Sequence, residues 1–143
     1  MYKDILLPVD LEQESAWRHA LPVAVEYAQA FNARLHVLNV VPDFGMSIVG
    51  QYFPEGYEQR MAADHNRMLH EFVRQHVPPG VAVQHVIGEG RSIYKTILEI
   101  ARTIKADLII MSAHRPELAD YVIGSNTSKV VSHADCSVLV VRG

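Results

Sequence analysis

A short apolar run, Leu108-Ile109-Ile110-Met111, indicates the architecture of this chain most directly. The run is too short for a buried helix, and its two isoleucines favour a strand. It is apolar at every position, whereas a strand with one face in water would alternate polar and apolar residues. Strands that are covered on both faces are typical of parallel sheets, so the run predicts a sheet that lies between layers of helices.

Four further runs of this kind occur along the chain, at residues 5–9, 35–41, 81–87 and 138–141. Segments with apolar residues three or four positions apart, the pattern of a helix with one buried face, separate the runs. They are residues 16–27, 61–73, 93–104 and 127–134. The order β-α-β-α-β-α-β-α-β predicts right-handed crossovers and a sheet with helices on both faces.

Three serines mark where helices are expected to begin. Ser15, Ser92 and Ser125 each stand one position before a helical segment, where a side-chain oxygen would cap the first turn. Two long stretches interrupt the alternation and are predicted to be loops: residues 42–56, which hold two prolines and three glycines, and residues 112–124.

Composition limits the class of protein. The 143 residues fit one domain, 1–143, and the net charge of −3 gives no electrostatic footprint for nucleic acid. The one cysteine, Cys136, cannot form an internal disulfide. No apolar run approaches the ~20 residues needed to cross a bilayer, and the first residues do not have the pattern of a signal peptide. We therefore expect a cytoplasmic protein without membrane insertion.

The position of a ligand follows from the predicted sheet. In an open parallel sheet, ligands bind beyond the carboxyl ends of the strands, where the strand order reverses. Pro8-Val9-Asp10, Asn39-Val40-Val41 and the segment that begins at Met111 would meet there. The last segment ends in Gly124-Ser125-Asn126-Thr127 directly before a predicted helix, and the free N–H groups of a helix N-terminus bind anions. The pattern predicts a phosphate-bearing ligand with its apolar end near Val9, Val40 and Met111.

Two of these features have a simpler interpretation as well. Asp10 either faces the ligand or hydrogen-bonds the local backbone at the approach to the first helix. Gly124-Ser125 either contacts a phosphate or is an ordinary loop end with a capping serine.

The motifs together resemble the universal stress protein family, whose members carry a G-x2-G-x9-G-[S/T] nucleotide loop. The resemblance rests on the first strand with Asp10, the helix and strand at residues 97–109, Gly124-Ser125, and the turn His133-Ala134-Asp135-Cys136 before the last run. His114-Arg115-Pro116 resembles a variant branch of the family. The resemblance implies a Rossmann-like open parallel sheet of five strands in the order 3-2-1-4-5.

The resemblance also implies roles for single residues. Asp10 would face the adenine or ribose, with Pro8 and Val9 shaping the pocket, Val40 packed on the base and Met111 beside it. His114 and Arg115 would lie near the phosphates, which Gly124, Ser125, Asn126 and Thr127 would wrap. The implied ligand is ATP, with AMP and ADP as alternatives, and Mg²⁺ would be carried through the phosphates.

The chain departs from the nucleotide loop of the family at two positions. Ser112 and Arg115 stand where the first two glycines are expected, and the spacing to Gly124 is one residue short. Losing the glycines restricts the backbone near the phosphates, while Arg115 offers charge-assisted hydrogen bonds in return.

The last predicted strand is expected to form the contact between two copies of the chain. Val138, Leu139, Val140 and Val141 would pair with the same strand of a twofold mate, as is common in the family, which would cover an apolar edge.

Three functions remain open at this point. The first is a nucleotide-binding regulatory homodimer of the stress response, which acts on an unknown protein partner. The second is a slow ATPase or nucleotidyl-transfer enzyme, although the chain has no Walker-type motif and no predicted catalytic residue. The third is an interaction module that has lost its ligand. No protein-held metal is predicted, because His65, His70 and His76 do not share a helical face and His133 and Cys136 are only a pair.

Overall fold

A computed structural model describes residues 1–41, 57–113 and 121–143 of the chain. The described elements follow the alternation that the sequence predicts. The strands are β1 (Asp4–Val9), β2 (Arg34–Val41), β3 (Val83–Glu89), β4 (Leu108–Ser112) and β5 (Ser137–Val141). The helices are α1 (Ala20–Phe31), α2 (Tyr57–His76), α3 (Ile93–Ile104) and α4 (Tyr121–His133), with a 3₁₀ turn at Glu14–Ala16 before α1.

The five strands form one parallel sheet in the order β3-β2-β1-β4-β5, as the resemblance implies. Residues of β1 alternate between the two faces of the sheet, as strand geometry requires. Ile5, Leu7 and Val9 pack with α1 and α2, whereas Leu6 packs with α3 and α4. Each strand of the centre is therefore buried on both sides, which explains its continuous apolar sequence.

The first predicted helix begins later than expected. Ser15 lies inside the 3₁₀ turn Glu14–Ala16, and α1 begins at Ala20 with His19 at its N-cap. The prediction for Ser15 as a helix cap is therefore wrong. The chain makes an intermediate turn here, in which the Arg18 N–H donates to the Glu14 carbonyl at 2.8 Å, before it enters α1.

The last predicted helix begins earlier than expected. Because α4 starts at Tyr121, Ser125 lies within the helix and is not its N-cap, so that prediction is also wrong. Glycine and serine lower helix stability by only about 1 kcal/mol or less per residue, a cost that tertiary contacts can offset. Asn126 and Thr127, the next two residues, make such contacts.

The cap position of α3 is predicted correctly. Ser92 is the N-cap residue in extended conformation, and its carbonyl accepts a hydrogen bond from the Thr96 N–H at 3.0 Å. Its side chain makes no capping hydrogen bond, however. No helix in the described part of the chain combines the length and apolar composition that a membrane crossing requires.

Candidate functional site

The strand order reverses between β1 and β4, which are hydrogen-bonded neighbours although α1, β2, α2, β3 and α3 lie between them in the chain. Ile5 pairs with Leu108 and Leu6 with Ile109, so β1 and β4 run parallel towards their carboxyl ends at Val9 and Ser112. On the other side of β1, Val9 pairs with Asn39 of β2. The structure thus brings together the three strand ends that the sequence assigned to a ligand site.

The apolar residues predicted to form the base pocket are not equally available to a ligand. Val9 is 3% exposed and packs in the core between the sheet and the α1/α2 layer. Met111 is 1% exposed and packs in the core below α3 and α4, and Pro8 is also buried. Val40 is half-buried at the end of β2. Val40 therefore presents surface at this edge. Met111 packs in the same cluster as Val40, whereas Val9 is covered in the cluster on the other face of the sheet.

Asp10 orders the loop that leaves β1. Its Oδ1 accepts a hydrogen bond from the Glu12 N–H at 3.0 Å, and its backbone carbonyl accepts one from the Gln13 N–H at 3.1 Å. An aspartate that bonds the backbone two residues ahead forms an Asx-turn. The local interpretation of Asp10 is thus correct, and the same turn holds its carboxylate at the strand end where the ligand-facing role would need it.

Ser112 connects the end of β4 to the β1–α1 loop. Its side chain is buried, with the residue 7% exposed, and its hydroxyl donates to the Ala16 carbonyl at 2.8 Å. The Ser112 carbonyl in turn accepts a hydrogen bond from the Thr127 hydroxyl at 2.9 Å, and Thr127 is 4% exposed. Ser112 therefore stands at the first glycine position of the family loop, and its side chain is hydrogen-bonded within the protein.

Asn126 connects α4 to the start of α3. Its Oδ1 accepts a hydrogen bond at 2.9 Å from the backbone N–H of Tyr94, in the first turn of α3. The first N–H groups of a helix have no partner within the helix and are usually capped by the residue before it. The Ser92 side chain makes no such bond here, and the Tyr94 N–H is capped by a side chain 32 residues after Tyr94 in the chain.

Sequence reasoning missed Ala16, Tyr94 and Thr96 as residues around this edge. Thr96 lies 7% exposed under the β3–α3 turn, where a Cβ at Gly90 would come within 2.1 Å of its Oγ1. The Gly88-Glu89-Gly90 pattern at the end of β3 was the available signal, because two glycines near a strand end often indicate close packing. Nothing in the sequence pointed to Ala16 or Tyr94, which contribute backbone atoms.

Some predicted ligand contacts lie outside the described residues. They are His114 and Arg115, in the segment 114–120. Gly124 and Ser125 lie in the first two turns of α4, and the contacts of the Ser125 side chain are likewise outside the described part. Because a helical N–H bonds to the carbonyl four residues earlier, the N–H groups of Asn126 and Thr127 belong within α4 and not to its open N-terminus. The expectation of free N–H groups at these two positions is therefore wrong.

Two titratable groups elsewhere have shifted pKa values. Burial, together with the nearby charge of Asp107, raises the pKa of the Cys136 thiol, which keeps it protonated and unreactive. Burial, together with the charge of His70, lowers the pKa of His85. In the described ranges no three His, Cys, Asp or Glu side chains come together as a metal site would require.

The strand β5 has an unpaired edge, because within the described sheet it bonds to β4 on one side only. Val138, Leu139, Val140 and Val141 are all half-buried. The Val141 carbonyl accepts a hydrogen bond from the Ala113 N–H at 2.8 Å, which closes the ladder to β4 at this end. The edge is short and apolar, as the predicted self-association would need.

Comparisons with known proteins agree with this architecture. A model of the universal stress protein family matches residues 1–142. Universal stress protein G of Escherichia coli O157:H7 is 28% identical over 149 residues, which cover 99% of this chain and 100% of that protein.

Two solved structures share the fold of the chain. A universal stress protein in complex with cAMP has a TM-score of 0.67 at 20% identity, covering 99% of this chain and 97% of the other. The universal stress protein from Archaeoglobus fulgidus in complex with dAMP has a TM-score of 0.65 at 18% identity, covering 97% of each chain. Since the family model spans nearly every residue, the chain belongs to the universal stress protein family.

Proposed function

We propose that this protein is a homodimeric regulatory protein that binds an adenine nucleotide at the carboxyl ends of β1, β2 and β4. The observation that carries the proposal is the reversal of strand order between β1 and β4, with the Asp10 turn ordered at the end of β1. Two structural neighbours were solved with cAMP and dAMP, which supports an adenine nucleotide as the ligand class.

The proposal names the ligand and its contacts more closely. ATP is the expected nucleotide, with Mg²⁺ held through its phosphates. Val40 would contact the base and Asp10 the adenine or ribose, while Arg115, next to His114 in the His-Arg-Pro loop of the variant branch, would pair with phosphate oxygens. The family loop assigns the phosphates to Gly124 and Ser125, which lie about one turn after the N-terminus of α4 at Tyr121.

The assembly forms the second part of the proposal. Two copies would pair through β5, and occupancy of the nucleotide site would alter how the cytoplasmic dimer meets a protein partner. The edge position of β5 and its half-buried apolar residues support this pairing.

A second candidate function is an interaction module without a ligand. The buried Ser112 favours it, because its side chain occupies the first glycine position of the family loop and bonds to Ala16. In that case the fold and the β5 edge would remain while the phosphate pocket would be closed.

Replacing Gly124 with leucine tests whether the phosphate site of the first function is assigned correctly. Gly124 lies in α4, where leucine has a higher helix propensity by nearly 1 kcal/mol, so the variant should fold and dimerise as the wild type does. The larger side chain should abolish saturable ATP binding in calorimetry. Ser132→Leu, at an exposed position two turns along α4, is the matched control and should bind normally. Unchanged ATP affinity in Gly124→Leu would show that the site is assigned wrongly.

A further inference from the structure

Asn126 and Thr127 were predicted as ligand contacts, and the structure shows their side chains bonded to other elements of the protein. The hydroxyl of Thr127 has one proton, which it donates to the Ser112 carbonyl at 2.9 Å. Phosphate oxygens accept hydrogen bonds, so this hydroxyl cannot donate to a phosphate while the bond to Ser112 exists. The Oδ1 of Asn126 is an acceptor too, and it is bonded to the Tyr94 N–H.

These hydrogen bonds hold the first half of α4 against two neighbouring elements, β4 and α3. The Thr127 bond holds α4 against the end of β4, and the Ser112 hydroxyl continues the connection to Ala16 in the 3₁₀ turn. The Asn126 bond holds α4 against the first turn of α3. Asn126 and Thr127 follow Gly124 and Ser125 directly, so they fix the backbone of the segment that the proposed function assigns to the phosphates.

The α3–α4 contact extends beyond Asn126 along one face of α4. The Lys129 ammonium lies 5.1 Å from the centre of the Tyr94 ring, and the His133 ring lies 5.9 Å from it. Positions 126, 129 and 133 are three and four residues apart and share a helical face. Tyr94 is thus held by α4 through both its backbone N–H and its ring.

We propose that Asn126 and Thr127 are positioning residues of the nucleotide site: they anchor α4 to α3 and β4 through the Asn126 Oδ1 and the Thr127 hydroxyl, and so hold the Gly124-Ser125 backbone at the end of β4 without using these two atoms as ligand contacts. This inference rests on the proposed function, because it concerns the same site.

The first test compares ATP affinity across matched threonine variants. Thr127→Val keeps the shape of the side chain but removes the hydroxyl, and we expect ATP affinity to fall about fivefold, the equivalent of one hydrogen bond. Thr127→Ser restores the donor and should recover the wild-type affinity. Thr103→Val is the control, because the Thr103 hydroxyl also donates to a backbone carbonyl, that of Glu99 at 3.0 Å, but within α3. It should leave ATP affinity unchanged.

The second test follows hydrogen exchange of the Tyr94 amide by NMR. In the wild type this amide should be protected and should stay protected when ATP is added. Asn126→Ala should expose it, whereas Asn126→Asp, which keeps the acceptor oxygen, should restore protection.

The outcomes separate this inference from the proposed function. Loss of Tyr94 protection on addition of ATP would mean that Asn126 turns to the ligand. Wild-type ATP affinity in Thr127→Val would mean that Thr127 has no positioning role. Either result would overturn this inference and leave the proposed function standing. A wild-type protein that binds no nucleotide would overturn the proposed function itself, and the positioning role with it.

Discussion

His70 on α2 and His85 on β3 lie with their rings stacked, with centroids 3.7 Å apart and planes 13° from parallel. Burial and the charge of His70 lower the pKa of His85 below its ordinary value of 6.5. A histidine with a lowered pKa binds its proton more readily in the unfolded chain. Its contribution to stability is therefore present above pH 6.5 and is lost as the pH falls through that value and the lower folded pKa.

This pair predicts how stability responds to acid. The free energy of unfolding of the wild type should fall between about pH 7.5 and pH 5, and His85→Gln should show a shallower fall because one shifted group is gone. Chemical denaturation at several pH values measures this. Gln84→Ala, the exposed neighbour on the same strand, is the control and should keep the wild-type slope. An equal slope in His85→Gln would contradict the role assigned to the pair.

Single residues at the site were predicted with uneven success, and their atoms explain why. The position of Asp10 followed from the strand that precedes it, and the structure adds its turn. The partners of Asn126 and Thr127 could not be read from the sequence, because both are backbone groups of residues 32 and 15 positions away. The type of a residue does not tell which distant side chain its backbone N–H or carbonyl group will bond.

The β3–α3 connection shows close packing between a strand end and a helix. The carbonyl of Val41 accepts a hydrogen bond from the Gly90 N–H at 3.2 Å, which carries the ladder past the end of β3. The Thr96 side chain lies against both glycines of this connection, since a Cβ at Gly88 would come within 2.9 Å of its Cγ2 and one at Gly90 within 2.1 Å of its Oγ1. The glycines therefore allow α3 to lie close to the sheet.

An alanine at Gly90 should push Thr96 out of its hydrogen bond with Ser92. We expect Gly90→Ala to lower the free energy of unfolding by about 1–3 kcal/mol, measured by urea denaturation. Adding Thr96→Ala should recover part of this loss, because the clashing atoms are removed. Gly80→Ala is the comparison: its φ of +98° strains alanine, but no heavy atom lies within 4 Å of its Cβ. If Thr96→Ala improved both glycine variants equally, the proposed clash would be wrong.

At the scale of elements, the type of each strand and helix was predictable and some starting points were not. Apolar runs and helical periodicity depend on burial, which repeats along the element. The start of a helix depends on one or two local bonds, which the periodicity of apolar residues does not specify. The N-cap rule therefore placed the start of α3 correctly, whereas Ser125 as a cap would start α4 at Asn126, five residues after its observed start at Tyr121.

The whole molecule presents β5 as an edge of the sheet, and its backbone suggests how to test the proposed dimer. The Val141 carbonyl points towards β4, where it bonds to Ala113. Successive residues of a parallel strand direct their polar groups to opposite sides, so the N–H of Val140 points away from β4. Proline at this position would remove an outward donor and spare the internal ladder.

We expect Val140→Pro to convert a dimer into a monomer in light scattering, with an unchanged circular dichroism spectrum. Val83→Pro, at the first residue of the opposite edge strand β3, is the control and should remain dimeric. A dimer that survives Val140→Pro would place the contact between copies elsewhere.

The overall topology followed from the sequence because the order of elements and the right-handed crossover rule leave few alternatives. The strand order came from the family resemblance, which the whole-chain match supports. The proposed ligand site is different, because its specificity would depend on segments such as His114-Arg115 and on a few backbone atoms whose positions no pattern of residue types determines.

Nucleotide binding is the central claim, and calorimetric titration of the nucleotide-stripped protein with ATP and Mg²⁺ tests it most directly, with AMP and GTP as controls. The account predicts saturable, micromolar ATP binding, and little or none for GTP because Val40 and Asp10 are expected to meet an adenine ring. If the protein bound none of the three nucleotides, the result would contradict the account and favour the ligand-free interaction module, with Ser112 closing the pocket.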